Sequence, residues 1–225
     1  VETNKKIDKS TQEKLGININ KLGNDIDIID SNVSFNGLRE YMKERIFGHD
    51  EEIDIIAQKL YMNYTAVEGE TVESILLVGP TGTGKTETIK AATSYLNIPT
   101  FDTNASNLVP QGIKGMSIED VIVGLYESAL GDLERAQRGL VFLDEFDKLN
   151  DSDLDLKTSV KNILLTFTGG GKFLIDNDKY TFNFDSSMVS KVYAGVFDKI
   201  NERKKEVGFN SNINNITSFA KEADI

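Results

Sequence analysis

Residues 74–88 read SILLVGPTGTGKTET, an apolar run followed at once by three glycines, a lysine and four threonines. The mostly apolar residues 74–78, SILLV, predict a buried strand, and residues 85–96, after the glycines, predict a helix. Glycines at such a junction let backbone N–H groups turn inward at positive φ angles, with no Cβ in the way. The stretch therefore predicts a loop that surrounds an anionic group.

The spacing within this loop satisfies the pattern GxxxxGK[ST]. In that pattern the loop and the helix N-terminus bind phosphates, the lysine adds positive charge near the β and γ phosphates, and the threonine hydroxyl ligates Mg²⁺. The alternative is a glycine-rich turn that only happens to precede a helix, and the Lys-Thr pair disfavours it. The sequence thus predicts a nucleoside-triphosphate site formed by Gly79, Pro80, Thr81, Gly82, Thr83, Gly84, Lys85, Thr86 and Glu87.

A second apolar run, LVFL at residues 140–143, ends in Asp144 and Glu145. Because parallel strands end at the same edge of a sheet, we expect both carboxylates beside the glycine-rich loop. Asp144, with Thr86, is predicted to hold Mg²⁺, and Glu145 to polarise the attacking water, with Lys85 as the second catalytic residue. Two acids can also be an ordinary solvated strand end, but their pairing with the upstream loop favours catalysis.

Strand and helix patterns alternate along the chain, which predicts an α/β fold of three layers, α/β/α, with a central parallel sheet. Residues 1–31 are polar and are predicted to be a leader or linker, and residues 32–225 one nucleotide-binding domain. Ser117 and Asp120 have capping-box spacing at the start of a predicted helix. The other expected elements are two helices meeting at Phe47-Gly48, a strand at 99–104, a long helix at 117–137, a helix at 155–167, a hairpin around Asn177-Asp178, a strand at 188–195 and a helix at 196–205.

Composition excludes several classes of protein. The chain has no cysteine and a single histidine, His49, so disulfide scaffolds, thiol catalysis and multi-histidine metal centres are excluded. No apolar run approaches the roughly 20 residues needed to span a bilayer, so no membrane partner is expected and the cytoplasm is the default location. The formal net charge of −11 disfavours a broad nucleic-acid surface.

Two stretches, residues 79–101 and ERAQRGLVFLDEFDKL at 134–149, resemble the AAA+ large domain of the Clp/Hsp100 unfoldase family, a branch of the P-loop NTPases. The resemblance runs from about Arg45 to Phe209. It implies ATP and Mg²⁺ as cofactors, protein substrates and a homo-oligomer, a hexamer when full length. It also implies that Ile46 and Phe47 contact adenine, although packing at a helix junction would equally explain them. His49 is expected to start the following helix rather than to contact nucleotide.

The resemblance further implies two loops that contact proteins. Family members grip a substrate chain with a pore loop of the type Gly-aromatic-hydrophobic-Gly, and Gly112, Ile113, Lys114 and Gly115 match it with Ile113 in place of the aromatic residue. An ordinary surface loop is the alternative. Val207, Gly208 and Phe209 match the tripeptide that docks on a Clp-type peptidase in this family. A helix that ends at glycine and is followed by a buried phenylalanine would explain the same three residues.

Departures from the family pattern leave three hypotheses. Tyr193 or Ala194 stands where many relatives have a polar residue that senses the γ-phosphate. The arginine finger and the small C-terminal domain of the family are expected beyond Ile225. The chain alone should therefore bind ATP better than it hydrolyses it. The leading hypothesis is an ATP-driven protein unfoldase that threads polypeptide to a peptidase. The others are a remodeller or motor acting on nucleic acid or complexes, and a nucleotide-binding switch with little hydrolysis.

Overall fold

The computed structural model describes residues 32–110, 112, 115–150, 154–197 and 217–218. The helices of this part of the chain are α1 Phe35–Lys43, α2 Asp50–Thr65, α3 Lys85–Leu96, α4 Ile118–Ser128, α5 Leu133–Gln137 and α6 Leu154–Thr168. Its strands are β1 Ile75–Val78, β2 Thr100–Asn104, β3 Leu140–Asp144, β4 Lys172–Asp176, β5 Thr181–Asp185, β6 Ser190–Gly195 and β7 Thr217–Ser218. Short 3₁₀ helices follow β2 and β3, at Ala105–Asn107 and Phe146–Asn150.

Five strands form one parallel sheet in the order β2-β3-β6-β1-β7. Strand β6 lies between β1 and β3, so the strand that precedes the glycine-rich loop and the strand that ends in acids are next-nearest neighbours. With helices on the sheet, the predicted α/β fold with a central parallel sheet is confirmed. Parallel strands end at one edge, which brings the ends of β1, β2, β3 and β6 together.

The core lies on both faces of this sheet, and β3 shows why. Its residues Leu140 to Leu143 are all buried, as expected for a strand covered on both sides. Val141 and Leu143 belong to a large apolar cluster with α4, α6 and the β4–β5 hairpin, which includes the fully buried Phe167 and Phe184. A rigid, dry core of this kind fixes where each strand ends.

The predicted long helix at 117–137 is wrong, because the structure divides it into α4 and α5. Leu130 and Gly131 both have left-handed backbones, with φ angles of 59° and 82°. Gly131 N donates to Tyr126 O at 3.0 Å, a bond typical of a helix C-terminus. Asp132 then starts α5 by accepting a hydrogen bond from Arg135 N at 3.0 Å. The predicted capping box at Ser117 and Asp120 is present.

The predicted hairpin is confirmed as the antiparallel pair β4–β5. Asn177 Oδ1 orders the turn by accepting from the backbone N–H groups of Lys179 and Tyr180. The same two residues bind α4, since Lys179 Nζ and Tyr180 Oη both donate to Glu127 Oε1, at 2.6 and 3.0 Å. The predicted helix at 196–205 lies mostly outside the described residues. No helix in the described ranges is both long and apolar enough to cross a membrane.

Candidate nucleotide-binding site

The glycine-rich loop joins β1 to α3 as predicted. Gly82 and Gly84 have φ angles of 85° and 83°, and Gly84 is the N-cap of α3. A Cβ added at either glycine would meet no atom within 4 Å, so their left-handed backbone, and not lack of space, requires glycine here. The first residue of the loop is fixed to the sheet, because Gly79 N donates to Gly195 O at 3.1 Å.

Lys85 begins α3, and its side chain turns back into the loop. Its Nζ donates to the carbonyl oxygens of Gly79 and Pro80, both at 2.7 Å. The residue is buried, and this burial lowers the pKa of its ammonium group, an effect that the nearby carboxylates of Asp144 and Asp147 partly offset. The loop carbonyls therefore hold the desolvated ammonium group of Lys85 in the loop, where it could bind a phosphate instead.

Thr86 and Asp144 come together although 58 residues separate them. Thr86 Oγ1 lies 3.4 Å from Asp144 Oδ2. A hydroxyl and a carboxylate are hard oxygen donors that fit Mg²⁺, which takes few protein ligands and keeps several waters. The described residues contain no group of three or more His, Cys, Asp or Glu side chains able to hold a metal ion.

Glu145 follows Asp144 in a left-handed conformation, with φ of 53°. Its carboxylate accepts three hydrogen bonds: Oε1 from Lys148 Nζ at 2.7 Å, and Oε2 from Ser106 Oγ at 3.3 Å and Asn104 Nδ2 at 3.4 Å. The bond from Lys148 is the main reason that the pKa of Glu145 is lowered. These three donors fix the position of the carboxylate.

These three partners of Glu145 are missing from the sequence analysis. Lys148 could have been found, since it lies one helical turn after Glu145. Asn104 and Ser106 could not, because their approach depends on β2 lying next to β3, with Asn104 opposite Asp144 in the register.

A cavity of about 310 Å³ lies at this edge of the sheet. That volume is at the low end of the range of about 300–1,000 Å³ typical of ligand pockets. It brings together the loop, the start of α3, the end of β3 and the end of β6. The lining residues are Thr81, Gly82, Gly84, Lys85, Thr86, Glu87, Asp144, Glu145, Asp147, Lys148, Gly195 and Val196.

The residues expected at adenine are not in this lining. Phe47 is 92% exposed, so packing into a helix-junction core is wrong for this residue, and contact with adenine stays a prediction. His49 occupies the N-cap of α2 with φ of 58°; its carbonyl accepts from Ile53 N at 2.8 Å, while its side chain makes no capping bond.

The two residues at the expected sensor position point elsewhere. The Tyr193 hydroxyl bonds to Thr168 Oγ1 at the end of α6, and the Tyr193 ring lies 4.6 Å from the Phe146 ring, centroid to centroid. Burial raises the pKa of this phenol. Ala194 is fully buried, and Gly195 and Val196 are the residues near the end of β6 that reach the cavity.

The expected pore loop is closed at its base by a short parallel bridge between Leu108 and Met116. Val109 N donates to Met116 O at 2.8 Å, and Met116 N to Asn107 O at 3.3 Å. Gly112 and Gly115 have positive φ angles. Ile113 and Lys114, like the expected docking residues Val207, Gly208 and Phe209, lie outside the described residues.

Comparison with known proteins agrees with this geometry. Residues 75–182 match the family model of AAA, the ATPase family associated with various cellular activities. The ATP-dependent Clp protease ATP-binding subunit ClpX of Treponema denticola is 29% identical over 121 residues, or 50% of this chain and 29% of the relative. ClpX of Borrelia duttonii is 31% identical over 122 residues, covering 50% and 28%. ClpX 3 of Methylococcus capsulatus is 28% identical over 158 residues, covering 60% and 36%.

The fold, the site and these matches define the class of the matched region: residues 75–182 match an AAA+ ATPase domain. The large domain of this chain is similar to that of ClpX. The aligned part covers between 28% and 36% of the length of these three relatives.

Proposed function

We propose that this chain is the ATP-binding and ATP-hydrolysing part of a ClpX-like protein unfoldase. The observation that carries the proposal is the convergence of Lys85, Thr86, Asp144 and Glu145 at one cavity beside a glycine-rich loop. The similarity to ClpX, the ATP-binding subunit of an ATP-dependent protease, supports protein substrates. Domain limits at residues 1–31 and 32–225 are part of the same proposal.

The binding step uses the loop and the start of α3. Backbone N–H groups of residues 79–87 and the N-terminus of α3 surround the phosphates, and Lys85 moves from the Gly79 and Pro80 carbonyls to the β and γ phosphates. Thr86 and Asp144 would hold Mg²⁺, which would neutralise charge on the phosphates. Ile46 and Phe47 contact the adenine, which would cover the exposed Phe47 ring.

The hydrolytic step depends on Glu145. Its carboxylate accepts a hydrogen bond from the attacking water and polarises it for attack on the γ-phosphorus. Lys148, Ser106 and Asn104 use three of the about four acceptor positions of this carboxylate, so Oε1 keeps one position for that water.

The coupling step would use the loop at 112–115. In a homo-hexamer, ATP hydrolysis would move Ile113 and Lys114 and so pull a protein chain through the pore. The bridge at Leu108 and Met116 gives that loop a fixed base close in sequence to Ser106, which contacts Glu145. Val207, Gly208 and Phe209 would dock the assembly on a Clp-type peptidase.

A nucleotide-binding switch with little hydrolysis is the second candidate. It is favoured by Tyr193 at the expected sensor position, whose hydroxyl bonds to Thr168 and not to a group in the cavity. Both candidates need ATP binding, but only the unfoldase needs turnover.

The test uses the full gene product with MgATP and a stably folded fluorescent protein that carries a disordered tail. We expect ATP-dependent loss of native fluorescence that a Clp-type peptidase makes irreversible. Replacing the candidate base, Glu145→Gln, should lower ATP hydrolysis by about 100-fold or more and abolish unfolding, with ATP affinity retained.

Two results would contradict the proposal. Hydrolysis that Glu145→Gln leaves unchanged would rule out catalysis by Glu145. Hydrolysis without an effect on any tailed substrate would rule out the unfoldase, and ATP binding without turnover would favour the switch.

A further inference from the structure

Asp147 is a carboxylate in the cavity with no part in the steps above. It lies in the 3₁₀ helix Phe146–Asn150, directly after β3, and it lines the cavity with Asp144 and Glu145. Its Oδ1 atom is buried, and no group in the described part of the chain hydrogen-bonds to it. Buried carboxylate oxygens rarely lack a partner, because desolvation without a hydrogen bond is costly. This atom therefore calls for a partner that the described residues do not supply.

Gly195, at the end of β6, makes room for this carboxylate. A Cβ on residue 195 would lie 2.4 Å from Asp147 Oδ1 and 2.7 Å from Phe197 Cε2. The same glycine accepts the hydrogen bond from Gly79 N that fixes the start of the phosphate loop. Because its φ angle is not in the left-handed region, space is the reason for glycine here. The orphaned oxygen is thus placed against the backbone to which the phosphate loop is fixed.

The charges around Asp147 indicate the chemistry of its partner. Lys85 is the nearby ammonium within the buried part of the site, and its Nζ is held by two loop carbonyls. A nucleoside triphosphate brings more negative charge next to the carboxylates already present. A carboxylate here tolerates that charge only if a cation, or water bound to a cation, lies between it and the phosphates.

We propose that Asp147 accepts a hydrogen bond from the water shell of the nucleotide-bound Mg²⁺, as a second acidic positioning residue beside Asp144. This inference rests on the proposed nucleotide site. Mg²⁺ in such sites keeps several waters, which need acceptors in the protein. Outer acceptors of this kind typically contribute about 10–100-fold to metal affinity.

The test measures Mg²⁺ dependence apart from catalysis, in the full chain with a fluorescent ADP analogue as the probe. For Asp147→Asn we expect binding in EDTA that is equal to or tighter than wild type, since a negative charge is lost. The Mg²⁺ concentration for half-maximal enhancement should rise by about 10-fold or more. Mn²⁺ titrated into the ADP complex, followed by electron paramagnetic resonance, gives a second readout without turnover.

Two further variants complete the design. Gly195→Ala should reproduce the loss, because the added methyl group displaces the Asp147 carboxylate, and it keeps the test open if Asp147→Asn does not fold. Asp102→Asn makes the same chemical change at an exposed residue of β2 outside the cavity lining, and it should retain wild-type Mg²⁺ dependence.

The outcomes distinguish failure of the proposed function from failure of this inference alone. If wild-type protein binds no nucleotide with Mg²⁺, the proposed function fails and this inference fails with it. If wild type binds nucleotide and both Asp147→Asn and Gly195→Ala keep wild-type Mg²⁺ dependence, the inference alone is overturned. Equal weakening with and without Mg²⁺ in a folded variant also overturns it, since it would show a role in shaping the loop.

Discussion

Two residues next to the cavity have backbone conformations that cost free energy. Glu145 and Phe197 are left-handed, with φ angles of 53° and 56°, although an L-residue with a side chain adopts this region at a cost of about 1–2 kcal/mol. Such strain persists where the surrounding structure fixes it, and it is concentrated at functional sites. At Glu145 the three donors to the carboxylate provide that fixing, which agrees with its proposed role.

Lys191 lies outside the site, and burial of its ammonium group lowers the stability of the folded protein. It is 1% exposed on β6, where burial lowers the pKa of its ammonium group to about 8. Its Nζ donates to Ser186 O and lies 5.7 Å from the centroid of the Phe167 ring. Because the unfolded chain holds this proton up to a pKa near 10.5, folding with a charged Lys191 is penalised at neutral pH.

We therefore predict that Lys191→Met stabilises the protein. The gain at pH 7 is on the order of 3 kcal/mol at most, and Ser186 O keeps a hydrogen bond from Val189 N. In wild type this penalty disappears as pH rises from about 8 to 10, since the folded state loses the proton first. Thermal melts over this range should converge for wild type and variant. An exposed control, Lys172→Met, should show no such convergence, and equal pH profiles for wild type and Lys191→Met would contradict the assignment.

At the scale of elements, the sequence correctly predicted the helix, turn and cap that a few neighbouring residues determine. The helix at 85–96, the hairpin turn at Asn177 and the capping box at Ser117 were each specified by a few neighbouring residues, and each is confirmed. The break between α4 and α5 was missed because Leu130 continues the apolar helical pattern, although Gly131 and the N-cap residue Asp132 are residues that typically end one helix and begin another.

The left-handed residue at this break, Leu130, leads to a prediction about stability. Leu130 is left-handed and 57% exposed, so Leu130→Gly removes backbone strain and little burial. We expect the free energy of unfolding in urea to rise by about 1 kcal/mol. Leu165→Gly is the matched control: this leucine is 69% exposed within α6, and glycine there should lower stability by about 1 kcal/mol. Equal losses in both variants would show that Leu130 is not strained.

At the scale of the whole molecule, the strand order assembles the site. Because β6 lies between β1 and β3, Gly195 reaches the cavity and meets Asp147, and because β2 lies beside β3, Asn104 reaches Glu145. Neither contact could be predicted, since one sequence does not reveal which strands are neighbours. The phosphate loop could be predicted because its residues are contiguous, and the two acids because strand ends in a parallel sheet share an edge.

The central claim is that this cavity binds MgATP through Lys85. Titration of the chain with a fluorescent ATP analogue in Mg²⁺ should give saturable binding, and Lys85→Met should weaken it by about 10–100-fold, the loss of one or two charge-assisted hydrogen bonds. Lys161→Met, which removes an exposed ammonium group from α6 outside the cavity lining, should bind as wild type does. Equal affinity of wild type and Lys85→Met, or no binding by wild type, would contradict the account.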